Sequence, residues 1–341
     1  MSRSVIFRRA ALFTAILLLP FAAACGGGTQ SSSAGQPFVL RVADPGNAGP
    51  GAVGKRDGTF DHDLAPLHAK VEWVRTTPGF SSNLKLFNAG QLDASEGAYS
   101  PVVGALSKDV GVKIVGVADP VGKDQNGILV TKTSGITSVS GLIGKRIAVN
   151  PAGKGEYITL KALRQANIPF DKVERVPLQQ ADATSAFSTG QVEAWASFLD
   201  PYQEAKANGA VEIATEESIG SVDSRIVAFR TTVLQQRPDV AQQYLETLKR
   251  LTDQQRANPE GFQNVFEKSG PRALKGQRLQ RALRLAAQTT PFHEPTEQDA
   301  RDLESVSALF VAAGVIPQPI TADDIFFDLA AQVQKYQSGQ K

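Results

Sequence analysis

The sequence predicts an α/β fold of two lobes with a cleft between them, and three observations carry that expectation. Beyond residue 37, short apolar runs alternate with amphipathic helical patterns, the order that builds sheets covered by helices. A strand–helix–Gly–strand unit near residue 71 recurs about a hundred residues later. The 341 residues, 42% hydrophobic and 21% charged, suffice for two ordinary cores and exclude a disordered or collagenous chain.

The chain opens with Arg3, Arg8 and Arg9, then an apolar run from Ala10 to Ala24 broken by Thr14 and Pro20. A basic head, an apolar body and small residues at its end mark residues 1–24 as a signal peptide. The run falls short of the about 20 apolar residues that a membrane-spanning helix needs. Cys25 follows three alanines and precedes three glycines, an arrangement that resembles a bacterial lipobox with Ala22 where Leu is usual. That resemblance implies a lipidated Cys25, and the Gly- and Ser-rich residues 25–36 read as its flexible tether. The expected location is the outer face of the cytoplasmic membrane, with the lipid as the sole membrane contact. No acidic residue precedes Cys25, so beyond it 33 Lys and Arg face 34 Asp and Glu. A near-neutral body carries no electrostatic footprint for nucleic acid. The single Cys excludes a disulfide framework, a thiolate zinc site and an iron–sulfur cluster. His62, His68 and His293 are scattered, so neither a metal nor a cofactor is expected.

Strands are expected at Phe38–Val42, Val71–Val74, Val112–Val117, Gly127–Thr131, Arg146–Val149, Val173–Val176 and Ile226–Phe229. Helical patterns lie at Ser82–Asn88, Tyr157–Ala166, Ala183–Ser188 and Pro238–Arg256, the last with its Pro in the first turn. Further helices are expected at Gly276–Ala287, Glu297–Ala313 and Ala322–Lys335. In the repeated unit, Val71-Glu72-Trp73-Val74 leads through a loop and helix to Phe87-Asn88-Ala89-Gly90-Gln91-Leu92-Asp93-Ala94. Val173-Glu174-Arg175-Val176 leads likewise to Phe187-Ser188-Thr189-Gly190-Gln191-Val192-Glu193-Ala194. Gly90 and Gly190 are read as helix stops in left-handed backbone, each followed by a strand entering a sheet. Two such lobes face each other across a cleft, where α/β sheets bind ligands at the carboxyl ends of their strands.

The stretch from Ile136 to Asn150 resembles periplasmic solute-binding proteins. Ala181-Asp182-Ala183, Ala186-Phe187, Gly190, Val192-Glu193-Ala194-Trp195 and Asp200-Pro201-Tyr202 are similar to the sulfonate, taurine and nitrate branch of ABC-importer binding proteins. Phe87–Asp93 and Gly314-Val315-Ile316-Pro317 fit the same pattern, which runs from Phe38 to about Asp328. The resemblance implies a periplasmic-binding-protein-like type II fold, crossed twice by the chain. Lobe 1 would hold residues 37–127 and 230–341, and lobe 2 residues 128–229. It also implies a monomer that captures a small solute and hands it to an ABC permease.

A sulfonate stays ionised and only accepts hydrogen bonds, so backbone N–H groups at helix starts, hydroxyls, amides and guanidinium groups suit it. Four loops qualify by position. Asp44 and Asn47 follow the first strand. Ser81 and Ser82 precede a helix, where a Ser is as readily a cap as a ligand. Glu96, Ala98, Tyr99 and Ser100 follow the next strand. Gly153, Lys154 and Gly155 occupy a Gly-rich turn that lacks the Gly-Lys-(Ser/Thr) ending of a P-loop. Across the cleft, Asp200 is either a contact or a cap, and Arg225 either the counter-charge or a solvated surface residue. Trp195 and Phe198 offer an apolar wall, although a Trp at strand spacing belongs more naturally to a core. His293, in a Pro-rich turn, is assigned no role. Glu96 departs from the resemblance, which has an apolar or small residue there. An unpaired carboxylate would repel an anion, so Glu96 pairs with Lys154 or Arg225, faces away, or meets an amine-bearing solute such as taurine.

The expected function is capture of a small organic anion, an aliphatic sulfonate or taurine, by closure of two lobes. Nitrate, bicarbonate and a thiamine-precursor pyrimidine are the alternatives within the binding class. An enzyme on the same fold would need a His, Cys or strong acid at the cleft, and of these only Glu96 stands there.

Overall fold

Strand order reveals the repeat directly. The computed structural model describes residues 35–339 apart from 78, 123 and 124, so the signal-peptide segment and Cys25 lie outside the described residues. Pro37–Lys341 forms one compact unit. Its strands are β1 (Phe38–Ala43), β2 (Ala69–Val74), β3 (Ala94–Ala98), β4 (Val112–Ala118), β5 (Asn126–Val130), β6 (Arg146–Val149), β7 (Glu174–Pro177), β8 (Ala194–Phe198), β9 (Val211–Thr215) and β10 (Arg225–Arg230). They form two five-stranded sheets, ordered β2-β1-β3-β10-β4 and β7-β6-β8-β5-β9. In each, the first three strands run parallel and the fourth, β10 or β5, is antiparallel to both neighbours.

The equivalence extends to single hydrogen bonds. Gly90 and Gly190 take φ of 66° and 73°, and their N–H groups donate to the carbonyls of Phe87 and Phe187. An L side chain strains such backbone, which is why the unit carries Gly there. After each stop an acid locks the next strand to its neighbour. Arg41 N donates to Asp93 Oδ2, and Arg146 N donates to Glu193 Oε2, each at 3.0 Å.

Sheet membership moves the two crossings from their expected positions. β5 lies wholly in the second sheet, and β10 wholly in the first, so the chain passes between sheets after Ala118 and again within 216–224. Residues 225–229, expected in the second lobe and including Arg225, therefore belong to the first sheet. Their apolar run suits a central strand of either sheet, and pattern alone does not choose between them.

The buried core is continuous across the two sheets. Val102, Val103 and Ile114 of the first half share one cluster with Ile147, Tyr157 and Ile158 of the second, and with Leu303 and Phe310 of the helix Glu297–Ala312. A second cluster backs the first sheet, where Phe60, Tyr244 and Leu251 pack behind Leu40 and Phe229. Trp195 is 2% exposed in a third cluster beside Phe187 and Tyr202, a core residue as its strand spacing suggested.

Three departures from the sequence pattern have local causes. The helix Pro50–Asp57 has a Gly-rich sequence of low helix propensity and is held by burial of Gly51 to Gly54. β9, with mixed polarity, is an edge strand that pairs with β5 alone. The helix expected over Ala322–Lys335 breaks into Ala322–Ile325 and Leu329–Gly339, because Phe327 N donates to the Ile114 carbonyl and draws 326–328 onto β4.

Candidate functional site

Two helices start where the sheets' carboxyl edges meet. Tyr99–Leu106 follows β3, and Lys154–Gln165 follows β6 after a short turn. A Cβ built on Gly104 would lie 2.1 Å from the Ala152 carbonyl oxygen, and one built on Gly153 would lie 2.8 Å from Ser81 Oγ. Gly104 therefore allows an approach between halves that any side chain would prevent, while Gly153 is confined chiefly by Asn150 of its own half. Ser82 Oγ donates to Gln179 Oε1 at 3.1 Å, again from one half to the other. Gly79, at φ 94°, turns its open side to the Phe198 ring.

A buried polar network joins these starts to the crossing segments. Asp223, 1% exposed, accepts from Ser100 N at 2.8 Å and from Ser100 Oγ at 2.7 Å. Lys154 Nζ lies 3.1 Å from Asp223 Oδ2 and 2.7 Å from Glu216 Oε1. Burial alone would lower the Lys154 pKa, but the Asp223 and Glu216 carboxylates outweigh it and hold the ammonium charged. Glu216 also accepts from Asn126 Nδ2 and Ser221 Oγ. Asn126 Oδ1 in turn accepts from Leu199 N at 3.0 Å, at the start of the helix Leu199–Ala207. Tyr157 OH accepts from Val222 N at 3.1 Å, and burial, with the Asp223 charge behind it, pushes this phenol up to about 12.

This network corrects the expectation that helix-start N–H groups stand open for an anion. At the first helix the Ser100 N–H is taken by Asp223. Those of the second meet Asn150 and Glu156, since Gly155 N donates to Asn150 Oδ1 and Ala152 N to Glu156 Oε2, each at 2.6 Å. Ala98 is buried at 4% and serves as the N-cap position. Ser100 is spent on Asp223 and Lys154 on two carboxylates, while Gly153 and Gly155 provide close approach. Tyr99, fully buried, donates its OH to Asp299 Oδ1 at 2.8 Å and points into the core. Burial and the Asp299 charge raise its pKa.

The remaining expected residues divide. Asp44 binds Lys55 and accepts from Gly46 N; these outweigh its burial and hold the carboxyl below the usual range. Asn47 is a structural clamp, accepting from Phe266 N and Glu267 N and donating to the Glu267 carbonyl. Neither side chain has a bond to the second half among the described residues. Asp200 is exposed in the first turn of its helix, whose N-cap position is Phe198. Glu96 pairs with Arg225 at 3.4 Å, and the Arg225 guanidinium stacks 4.9 Å over the Phe292 ring. His293 bridges to Val117 and lies on no element of the network.

Six buried side-chain polar atoms among the described residues lack a hydrogen-bond partner: Ser81 Oγ, Arg175 Nη1, Ser197 Oγ, Gln203 Nε2, Arg225 Nη1 and Thr290 Oγ1. Every one can donate, and none is a carboxylate or carbonyl oxygen. Folded proteins rarely leave such groups unpaired, because each costs about 1–3 kcal/mol. Sequence reading names Ser81 and Arg225 among its candidates and does not name Asp223, Glu216 or Asn126. The repeat held the missing signal, since Asp223, two residues before β10, and Asn126, the first residue of β5, cap equivalent helix starts.

The profile of the NMT1/THI5 like family matches residues 71–261. A protein of Bacillus subtilis (strain 168), provisionally named as an aliphatic sulfonates-binding protein, is 29% identical over 241 residues, 70% of this chain and 72% of its own. The taurine-binding periplasmic protein of Escherichia coli (strain K12) is 29% identical over 158 residues, 46% of this chain and 47% of its own. Among solved structures, the alkanesulfonate-binding protein SsuA from Xanthomonas axonopodis pv. citri bound to MOPS matches with a TM-score of 0.74 at 23% identity. That match covers 86% of this chain and 99% of the other. The fold is thus the two-lobed one of periplasmic binding proteins. The profile spans more than half of the chain and reaches strands of both sheets, so this chain belongs to the NMT1/THI5 like family.

Proposed function

We propose that this chain is the extracytoplasmic substrate-binding component of an ABC importer, and that it holds an aliphatic sulfonate or taurine between its halves. The observation that carries the reading is the chemistry of the unpartnered atoms. Buried hydroxyl, amide and guanidinium donors without acceptors complement a ligand that only accepts. Ser81 and Arg225 both belong to the first half, and Ser81 stands against Gly153 of the second, so a sulfonate on these donors that also touches the second half bridges the closed form. Binding then adds to the stability of the closed form, and the solute-filled closed form is what a permease recognises. Arg225 with its partner Glu96 offers both signs of charge, which favours taurine, with its ammonium and sulfonate, over a bare anion.

Binding accounts for these residues better than catalysis does. The buried network is a set of caps and ion pairs, and His62, His68 and His293 stand outside it. Export, lipidation of Cys25 and delivery as a monomer to a permease complete the proposal. Mass spectrometry of the mature amino terminus tests the lipid. Melting curves against taurine, alkanesulfonates, nitrate and a thiamine-precursor pyrimidine test the solute. A ligand that binds only the folded state raises the melting temperature by mass action. A rise with sulfonates supports the proposal, and a flat response to all of them removes the sulfonate reading.

A further inference from the structure

We propose that Asp223 is the chain's own occupant of an anion seat between the halves, and that it holds them closed before any solute arrives. This rests on reading the halves as a solute-binding pair, but it concerns their resting state. The seat has three donors from two halves. Ser100 N and Ser100 Oγ open the first-half helix, and Lys154 Nζ opens the second-half helix. The Asp223 carboxylate touches all three at 2.7 to 3.1 Å. A carboxylate at a helix start meets both the free N–H groups and the positive end of the dipole.

Its place in the chain gives this contact a mechanical meaning. Asp223 lies on the return crossing, two residues before β10. Through Lys154 it is coupled to Glu216 at the other end of that crossing, and through Glu216 to Asn126, the first residue of β5 beyond the first crossing. Both segments on which the halves swing are thus tied into one buried network. The repeat marks what is special in it. Asn126 caps the start of the helix Leu199–Ala207, the second half's counterpart of Tyr99–Leu106, as Asp223 caps the latter, but Asn126 is neutral. Only the charged cap attracts a lysine from the opposite half. Breaking that pair leaves a buried charge without its partner, so opening is disfavoured.

The test is small-angle scattering of the purified protein without solute, for wild type, Asp223→Ala and Asp223→Asn. The account predicts a compact wild type and an increased radius of gyration for Asp223→Ala. Excess formate, which fits the vacated seat, restores the compact value. Asp223→Asn keeps an acceptor for Ser100 N and loses the charge, so it folds if the alanine variant does not, and it too expands. Expansion of either variant with recovery in formate supports the proposal. Variants as compact as wild type, or a solute-free wild type as expanded as they are, overturn it. Sulfonate titration separates the two readings. If no sulfonate binds but formate recloses the variant, the latch stands and the solute proposal fails. If sulfonates compact a protein that the substitutions leave unchanged, the reverse holds.

Discussion

Gly104→Ala tests the closed geometry at a single carbon. The added Cβ would sit 2.1 Å from the Ala152 carbonyl oxygen, 2.7 Å from its Cβ and 3.0 Å from its carbonyl carbon. Heavy atoms at rest stand about 3.5 Å apart, so the overlap exceeds 1 Å. The obstacle is backbone, and Ala152 already sits at φ 49°, so rotation of a side chain gives no relief. The two halves must separate. Within its helix, alanine is favoured over glycine by about 0.5–1 kcal/mol, a gain the open form enjoys as fully as the closed. The clash belongs to the closed form alone and costs about 1–3 kcal/mol, typical of overpacking. Solute affinity should therefore fall about 5- to 150-fold while the protein stays folded. Calorimetric titration gives the affinity, and scattering gives the degree of closure. An affinity within twofold of wild type, with an unchanged radius of gyration, would refute the claim that these atoms meet in the bound state.

Other outcomes follow from the same contacts. Ser81→Ala removes a hydroxyl that has no hydrogen-bond partner among the described residues, so solute-free stability should hold while sulfonate affinity drops about 10- to 150-fold, as for a bond to a charged group; equal losses of both would make Ser81 structural. Glu96→Gln frees Arg225 and removes the partner of an amine, so the preference for taurine over ethanesulfonate should fall by up to about fivefold in competition titrations. Tyr157 has its pKa raised from 10.0 to about 12, so its proton is held more tightly in the folded state. The stability it contributes is complete below pH 10 and is lost as the pH rises from there through 12. Denaturant melts across that range should lose less stability in Tyr157→Phe than in wild type.

How far the sequence spoke depends on the range of the interactions involved. The repeat was legible because it rests on local chemistry. Gly90 and Gly190 stop helices in left-handed backbone, and Asp93 and Glu193 lock onto Arg41 and Arg146 in the adjacent strand. The crossings were misplaced by one strand because a central strand looks alike in either sheet. Loop positions at the strand ends were found, but the direction of their side chains was not. Tyr99 and Ser100 sit where a ligand was expected, yet Asp299 and Asp223, more than a hundred residues away in sequence, draw both inward. Asp223 itself lay in a stretch without periodicity or motif. Its role appears only when three segments distant in sequence are folded together.

The most direct test of solute capture is a calorimetric titration of taurine and ethanesulfonate into wild type and an Arg225→Met, Ser81→Ala double variant. The account predicts saturable binding at one site in wild type, and a loss of at least tenfold in the variant at similar melting temperature. Absence of binding in wild type, or equal affinity in the two proteins, would contradict it.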